Sequence, residues 1–156
     1  MKKIIVTAAV VVIASFIFLT SFQAKLNNTN HIRFNHIAIY VADLEASKAF
    51  YKDVMEFEAM DEPFHDGRHA WFRIGDHSQL HVVTGEKKEQ LHIRNNHLAF
   101  SVSFLAGFIK KLDEKKISYI NWAGDQKAAG KRPDGIQQIY LQDPDGYWIE
   151  VNDEWR

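Results

Sequence analysis

The phrase Asn35-His36-Ile37-Ala38-Ile39-Tyr40-Val41 returns in altered form as Asn96-His97-Leu98-Ala99-Phe100-Ser101-Val102. In step with it, Asn35, His36, Ala38, Val41 and Leu44 recur as Asn96, His97, Ala99, Val102 and Leu105. A match this short arises easily by chance, so its weight comes from the order of elements after each copy. After the first strand (33–41), Leu44, Ser47, Phe50, Tyr51 and Val54 fall at helical spacing behind Asp43, a suitable N-cap. Short strands are then expected at 57–60, 70–74 and 79–84, with Asp66-Gly67 and Gly75-Asp76 as turns between them. After the second strand (97–102), Leu105, Phe108, Ile109 and Leu112 form a helical stripe, with Lys110, Lys111 and Glu114 on the polar side. Strands are expected at 118–122, 137–141 and 147–151, the last entered through the tight turn Asp143-Pro144-Asp145-Gly146. The chain thus reads twice as βαβββ, with half-units at about 32–85 and 95–153 in a domain spanning 32–156. Two such units join most naturally into a curved, open, mixed-sheet barrel with the helices packed outside, an α+β fold.

The segment before that domain has another character. Lys2 and Lys3 precede an apolar run over 4–19, broken only by Thr7 and Ser15. A positive start ahead of such a run reads as a signal peptide over 1–24, or as an uncleaved membrane anchor over 4–22. Residues 25–31 read as a linker. Either way the domain is expected in an exported compartment, periplasmic or extracellular, touching a membrane only through an uncleaved leader. The chain has no cysteine, which excludes disulfides, thiolate catalysis, cysteine zinc sites and a lipidated cysteine. A formal net charge of −1 offers no basic field for nucleic acid. With 46% hydrophobic and 25% charged residues, the composition is that of a globular chain able to bury a core. Its eight histidines are the main chemical resource.

Alternation along the strands says where some of them point. Ile37, Ile39 and Val41 suit packing against the following helix, which leaves His36, Ala38 and Tyr40 on the concave side. Likewise Leu98, Phe100 and Val102 go to the helix, while His97 and Ala99 go inward. In the last strand of each half, Leu80 and Val82 oppose His81, and Ile149 and Val151 oppose Glu150. Each half therefore offers one polar residue from its first strand and one from its last. Three imidazoles and a carboxylate in one concavity suit a divalent ion: zinc, nickel, iron, cobalt or manganese. Without a cation, burying Glu150 would cost several kcal/mol or force protonation.

For a lone strand histidine, the plain reading is a satisfied core residue. The matched pair His36 and His97, with Glu150, favours metal ligation; His81 reads as a ligand or as a hydrogen-bonding neighbour of the ion. His65, His77 and His92 read as solvated loop residues, and His69 as one able to reach the cavity mouth. Lys127, Lys131 and Arg132 read first as a solvated basic loop. Their functional reading is a lid over an anionic substrate, since arginine pairs well with carboxylate or phosphate. Trp71, Trp122, Tyr40 and Phe72 read mostly as core. Tyr40 and Trp148, the latter on the Glu150 face, are the aromatic candidates for substrate contact, beside Arg132, Lys131 and His69.

The phrases NHIAIYVADLEASKAFYKDV, NHLAFSV and LQDPDGYWIEV resemble the vicinal oxygen chelate superfamily across about 32–153. That group includes glyoxalase I, methylmalonyl-CoA epimerase, extradiol dioxygenases, fosfomycin-modifying enzymes and bleomycin-binding proteins. The resemblance implies paired βαβββ units and one divalent metal ion. It places His36, His97 and Glu150 on the shared ligand positions and His81 on a fourth, where glyoxalase I has glutamate. It implies a glyoxalase-like lyase or isomerase acting on a small oxygenated substrate chelated through vicinal oxygens, with Glu150 as catalytic base. The alternatives are an extradiol dioxygenase-like oxygenase and a metal-free, bleomycin-resistance-like binding protein. It also implies either closure of the two halves on each other within one chain or their exchange in a homodimer.

Overall fold

A computed structural model describes residues 31–85 and 91–155. The leader expected over 1–24 and all but the last residue of the linker expected over 25–31 lie outside them. The first half runs β1 (His36–Val41), α1 (Leu44–Asp53), β2 (Glu58–Met60), β3 (His69–Gly75) and β4 (Ser78–Thr84). The second runs β5 (His97–Ser101), α2 (Leu105–Glu114), β6 (Gly130–Lys131), β7 (Gln137–Gln142) and β8 (Trp148–Asn152). Each half forms one four-stranded sheet, in the orders β1-β4-β3-β2 and β5-β8-β7-β6. Both sheets are open, and the βαβββ order is the one the repeat implies.

In both halves the first strand is parallel to the last and the other pairings are antiparallel. A parallel pair cannot be closed by a hairpin, so each half begins with a crossover that contains a helix. Asp43 caps α1, its Oδ1 accepting from Ala46 N at 3.0 Å. The faces obey the alternation: Ile39, Val41, Leu80 and Val82 are buried in the first half, Ile149 and Val151 in the second. Phe72, Tyr51, Leu112, Ile139 and Leu141 complete the core.

One expected strand is absent. Residues 118–122 make only isolated bridges, Ile120 exchanging both backbone hydrogen bonds with Tyr140 at 2.8 Å. The cause is local. Asn121 binds Asp125 through Nδ2 (2.8 Å) and accepts its N–H at 2.9 Å, and Gly124 takes φ 97°, so the chain turns where a ladder would continue. The fourth strand is instead the two-residue β6, within the segment read as a basic loop.

The Asp143–Gly146 turn does more than reverse the chain. Asp143 Oδ1 accepts the N–H groups of Asp145 (3.0 Å) and Tyr147 (2.8 Å), and Gly146, at φ 88°, closes the turn. Asp143 Oδ2 accepts from Tyr51 on α1 at 2.8 Å, and Asp145 Oδ1 accepts from Ala42 N at 2.7 Å. Tyr147 OH lies 3.1 Å from both N and O of Tyr40, on the outer edge of β1. The second half is thus keyed into the start of α1 and the edge of β1. Phe57 meets Phe100 edge-on at 5.0 Å to add an apolar contact between the halves.

Tyr51→Phe leaves a buried Asp143 oxygen without its donor; we expect a loss of about 1–3 kcal/mol in urea denaturation. Burial pushes the Asp143 carboxyl up, only partly offset by the hydrogen bonds from Tyr51, Tyr147 and Asp145. A carboxyl raised above its unfolded value of about 3.9 makes folding less favourable once ionised, so its contribution improves as pH falls toward that value. As pH rises from about 4, Asp143→Asn should therefore lose stability less steeply than the wild type does. Denaturation midpoints along that rise, with parallel slopes for the two proteins as the contrary result, check this.

Candidate metal centre

The two parallel strand pairs set up two matched half-sites. In β1–β4 the residue opposite His81 is Ala38, and in β5–β8 the residue opposite Glu150 is Ala99. Each alanine clears the space that lets the histidine two residues before it lean across the strands. In the first half, His36 stacks on His81 with centroids 4.2 Å apart and planes 8° apart. In the second, His97 Nε2 lies 3.3 Å from Glu150 Oε2.

The second half-site is the more polar. His97 Nδ1 bonds the carbonyl of Arg94 at 2.7 Å. A carbonyl only accepts, so Nδ1 carries the proton and the Nε2 lone pair faces the carboxylate. Two acceptors facing each other at that distance require a proton or a cation between them. Glu150 is only 6% exposed and is tightly held. Its Oε2 accepts from Tyr140 OH at 2.6 Å and its Oε1 from Asn152 Nδ2 at 2.8 Å. Arg132 approaches Oε1 to 3.9 Å while pairing with Asp134 and with Glu154 at 3.4 Å. Burial, then the bond to Glu150, pushes the Tyr140 hydroxyl up, so at neutral pH it remains a donor.

The first half-site is aromatic and carries no carboxylate. His36 Nδ1 bonds Asn35 Oδ1 at 2.6 Å, which leaves its Nε2 lone pair for a ligand. His81 Nε2 bonds Gln79 Oε1 at 2.8 Å. Burial, then the nearby His36 and His69, lowers the His81 imidazole below its ordinary value, favouring the neutral form that ligates. The far face of His81 is stacked on Trp71, with centroids 3.9 Å and planes 2° apart.

The donor set suits a divalent ion in kind, since it offers imidazoles and an oriented carboxylate. It does not converge within one chain. Among the described residues no group of three or more His, Asp and Glu side chains stands ready to hold a metal. The four candidate ligands come together as two pairs. Moreover, lone pairs lie in the ring planes, so two nearly parallel imidazoles cannot both aim at one ion until one ring turns.

The other candidates divide. His69 begins β3, bonds Asp66 at 2.8 Å and stacks on Phe64 at 4.5 Å. That bond is the main reason the Asp66 carboxyl is held down to about 2. Trp148 lines the Glu150 sheet and donates to the His92 carbonyl at 3.2 Å. Tyr40 lies at the far end of β1 from His36, beside Gly85, where a Cβ would come within 3.0 Å of its hydroxyl. Lys131 is an exposed residue of β6, whereas its neighbour Arg132 reaches the carboxylate. Tyr140 and Asn152 escape the strand reading although a signal for both exists. Tyr140 lies directly opposite Glu150 in β7–β8, and Asn152 is two residues beyond it on the same face.

Comparison with known proteins agrees with this architecture. Glyoxylase I 4 of Arabidopsis thaliana is 25% identical over 125 residues, covering 75% of this chain and 68% of that protein. Metallothiol transferase FosB of Staphylococcus saprophyticus is 26% identical over 123 residues, covering 76% and 74%. The crystal structure of a glyoxalase/dioxygenase from Nostoc punctiforme superposes with a TM-score of 0.63 at 22% identity, covering 80% of this chain and 97% of that one. Residues 33–151 match the Glyoxalase/Bleomycin resistance protein/Dioxygenase superfamily, and with both βαβββ halves in place the chain belongs to that family.

Proposed function

We propose that this chain is a divalent-metal-dependent enzyme of glyoxalase type, a lyase or isomerase acting on a small substrate with two neighbouring oxygens. The observation that carries the reading is the His97–Glu150 pair, an imidazole lone pair held against a buried carboxylate 3.3 Å away. The ligands would be His36, His97 and Glu150, with His81 as the fourth. Because they stand as two pairs, the site is completed in a homodimer: His36 and His81 of one copy face His97 and Glu150 of the other. The likeness to a glyoxylase and a metallothiol transferase supports the class, and the leader read over 1–24 supports export.

When bound, the ion would supply Lewis acidity toward the two substrate oxygens. The rest is the work of the protein. Tyr140 and Asn152 orient Glu150, whose Oε2 is the atom placed to take up and return a substrate proton. Arg132, 3.9 Å from Oε1, adds positive charge where an anionic group of the substrate would lie. Trp148 walls the same sheet.

A second reading has one observation in its favour. The stack of Trp71, His81 and His36 presents flat rings rather than converging lone pairs, which suits a metal-free protein that sequesters a planar ligand. Such a protein would bind ligand tightly without turnover or stoichiometric metal.

Elemental analysis should find stoichiometric metal in the wild type and its loss in both His36→Ala and Glu150→Ala; equal trace metal in all three would reject the site. Co-expressed, the two variants should regain about a quarter of the wild-type metal, because each mixed dimer rebuilds one intact site. No recovery would place the site within a single chain. Tyr140→Phe should weaken metal binding about 10- to 100-fold while preserving the fold, as measured by calorimetric titration.

A further inference from the structure

Residues 91–96 lead into β5, and among them the Arg94 carbonyl fixes the His97 ring through the 2.7 Å bond to Nδ1. The Arg94 side chain is itself tied down from several sides. Its NH2 donates to the carbonyl of Trp122 at 2.7 Å and its NH1 to that of Asn121 at 3.3 Å. The guanidinium lies 4.7 Å from the Trp122 ring, 5.7 Å from Tyr140 and 5.8 Å from Trp148. Trp148 Nε1 in turn fastens the same segment through the His92 carbonyl at 3.2 Å. Charge-assisted bonds and cation–π contacts are among the stronger polar restraints on a partly exposed segment. The planar fork of arginine reaches two carbonyls at once, which the point charge of lysine does not.

We infer that Arg94 is a positioning residue for His97: its caged side chain locks the short lead into β5 so that its own carbonyl holds the proton on His97 Nδ1 and aims Nε2 at Glu150. Its bonds to Asn121 and Trp122 leave Arg94 braced as a strut rather than extended toward a substrate. The same cage ties the 121–122 turn and the ring of Tyr140, which donates to Glu150, to the setting of His97. The His97 ring and the Tyr140 donor of the second half-site are therefore both tied to one arginine. This inference rests on the metal-site reading for its functional consequence, but its structural core can be tested without metal.

The test uses full-length protein labelled with 15N at histidine. In long-range 1H–15N spectra of the metal-free wild type, His97 Nδ1 should appear as the protonated, hydrogen-bonded nitrogen. Arg94→Met keeps the aliphatic stem and removes the fork; it should shift His97 toward the Nε2–H form that free imidazole prefers. Zinc affinity by calorimetry should fall about 10- to 100-fold in that variant, with Arg94→Lys recovering part of both signals. An unchanged His97 signature in folded Arg94→Met overturns the inference. Should that variant fail to fold, Trp122→Leu, which removes the nearest ring of the cage, should give the same shift in weaker form, and no shift there overturns the inference equally. A wild type that binds no zinc rejects the metal reading while the tautomer measurement still decides the role of Arg94.

Discussion

Parallel pairing of the first and last strands in each half is the constraint on which the site depends. It forces a helical crossover, sets the register, and puts Ala38 opposite His81 and Ala99 opposite Glu150. A slip of one residue in either pair would turn His36 or His97 into the core and Ile37 or Leu98 into the concavity. The buried runs Leu80/Val82 and Ile149/Val151 oppose that slip by the apolar surface it would expose.

A different kind of force sets how the halves meet. They share one aliphatic and aromatic core, and directed hydrogen bonds add to it: Asp143 accepts from Tyr51, Asp145 accepts from Ala42 N, and Tyr147 OH meets the backbone of Tyr40. Apolar burial tolerates sliding, whereas a carboxylate receiving two backbone N–H groups and a tyrosine hydroxyl tolerates very little. The Asp143 carboxyl is raised by burial, so that definition of geometry comes at some cost in stability.

The two half-sites occupy matching places in the two halves and differ chemically. One holds two imidazoles in an aromatic stack with Trp71. The other holds a carboxylate ringed by donors, with an imidazole whose tautomer is set by a backbone carbonyl. Brought face to face in a pair of chains, they would complement each other, one supplying neutral nitrogen donors and the other the negative charge that balances a cation. The stack implies that loading such an ion turns at least one ring.

What the sequence determined alone was everything local. Alternation told the core face from the concave face at His36, His81, His97 and Glu150; helical spacing and Asp43 located α1; Pro144 and Gly146 located the turn. Where a local competitor intervened, the reading failed: the Asn121–Asp125 bonds and Gly124 ended a strand expected over 118–122, and a two-residue β6 lay in the segment read as a loop. Asn152 was legible as the residue two beyond Glu150 on its face, whereas Tyr140 and the bracing of Arg94 became visible only through cross-strand register and contacts with distant residues, which no window along the chain contains. Tertiary structure likewise decided that the four candidate ligands stand as two pairs. Strand periodicity determines which way a side chain points, but where two sheets lie relative to each other depends on packing between residues roughly a hundred positions apart, such as Tyr51 and Asp143.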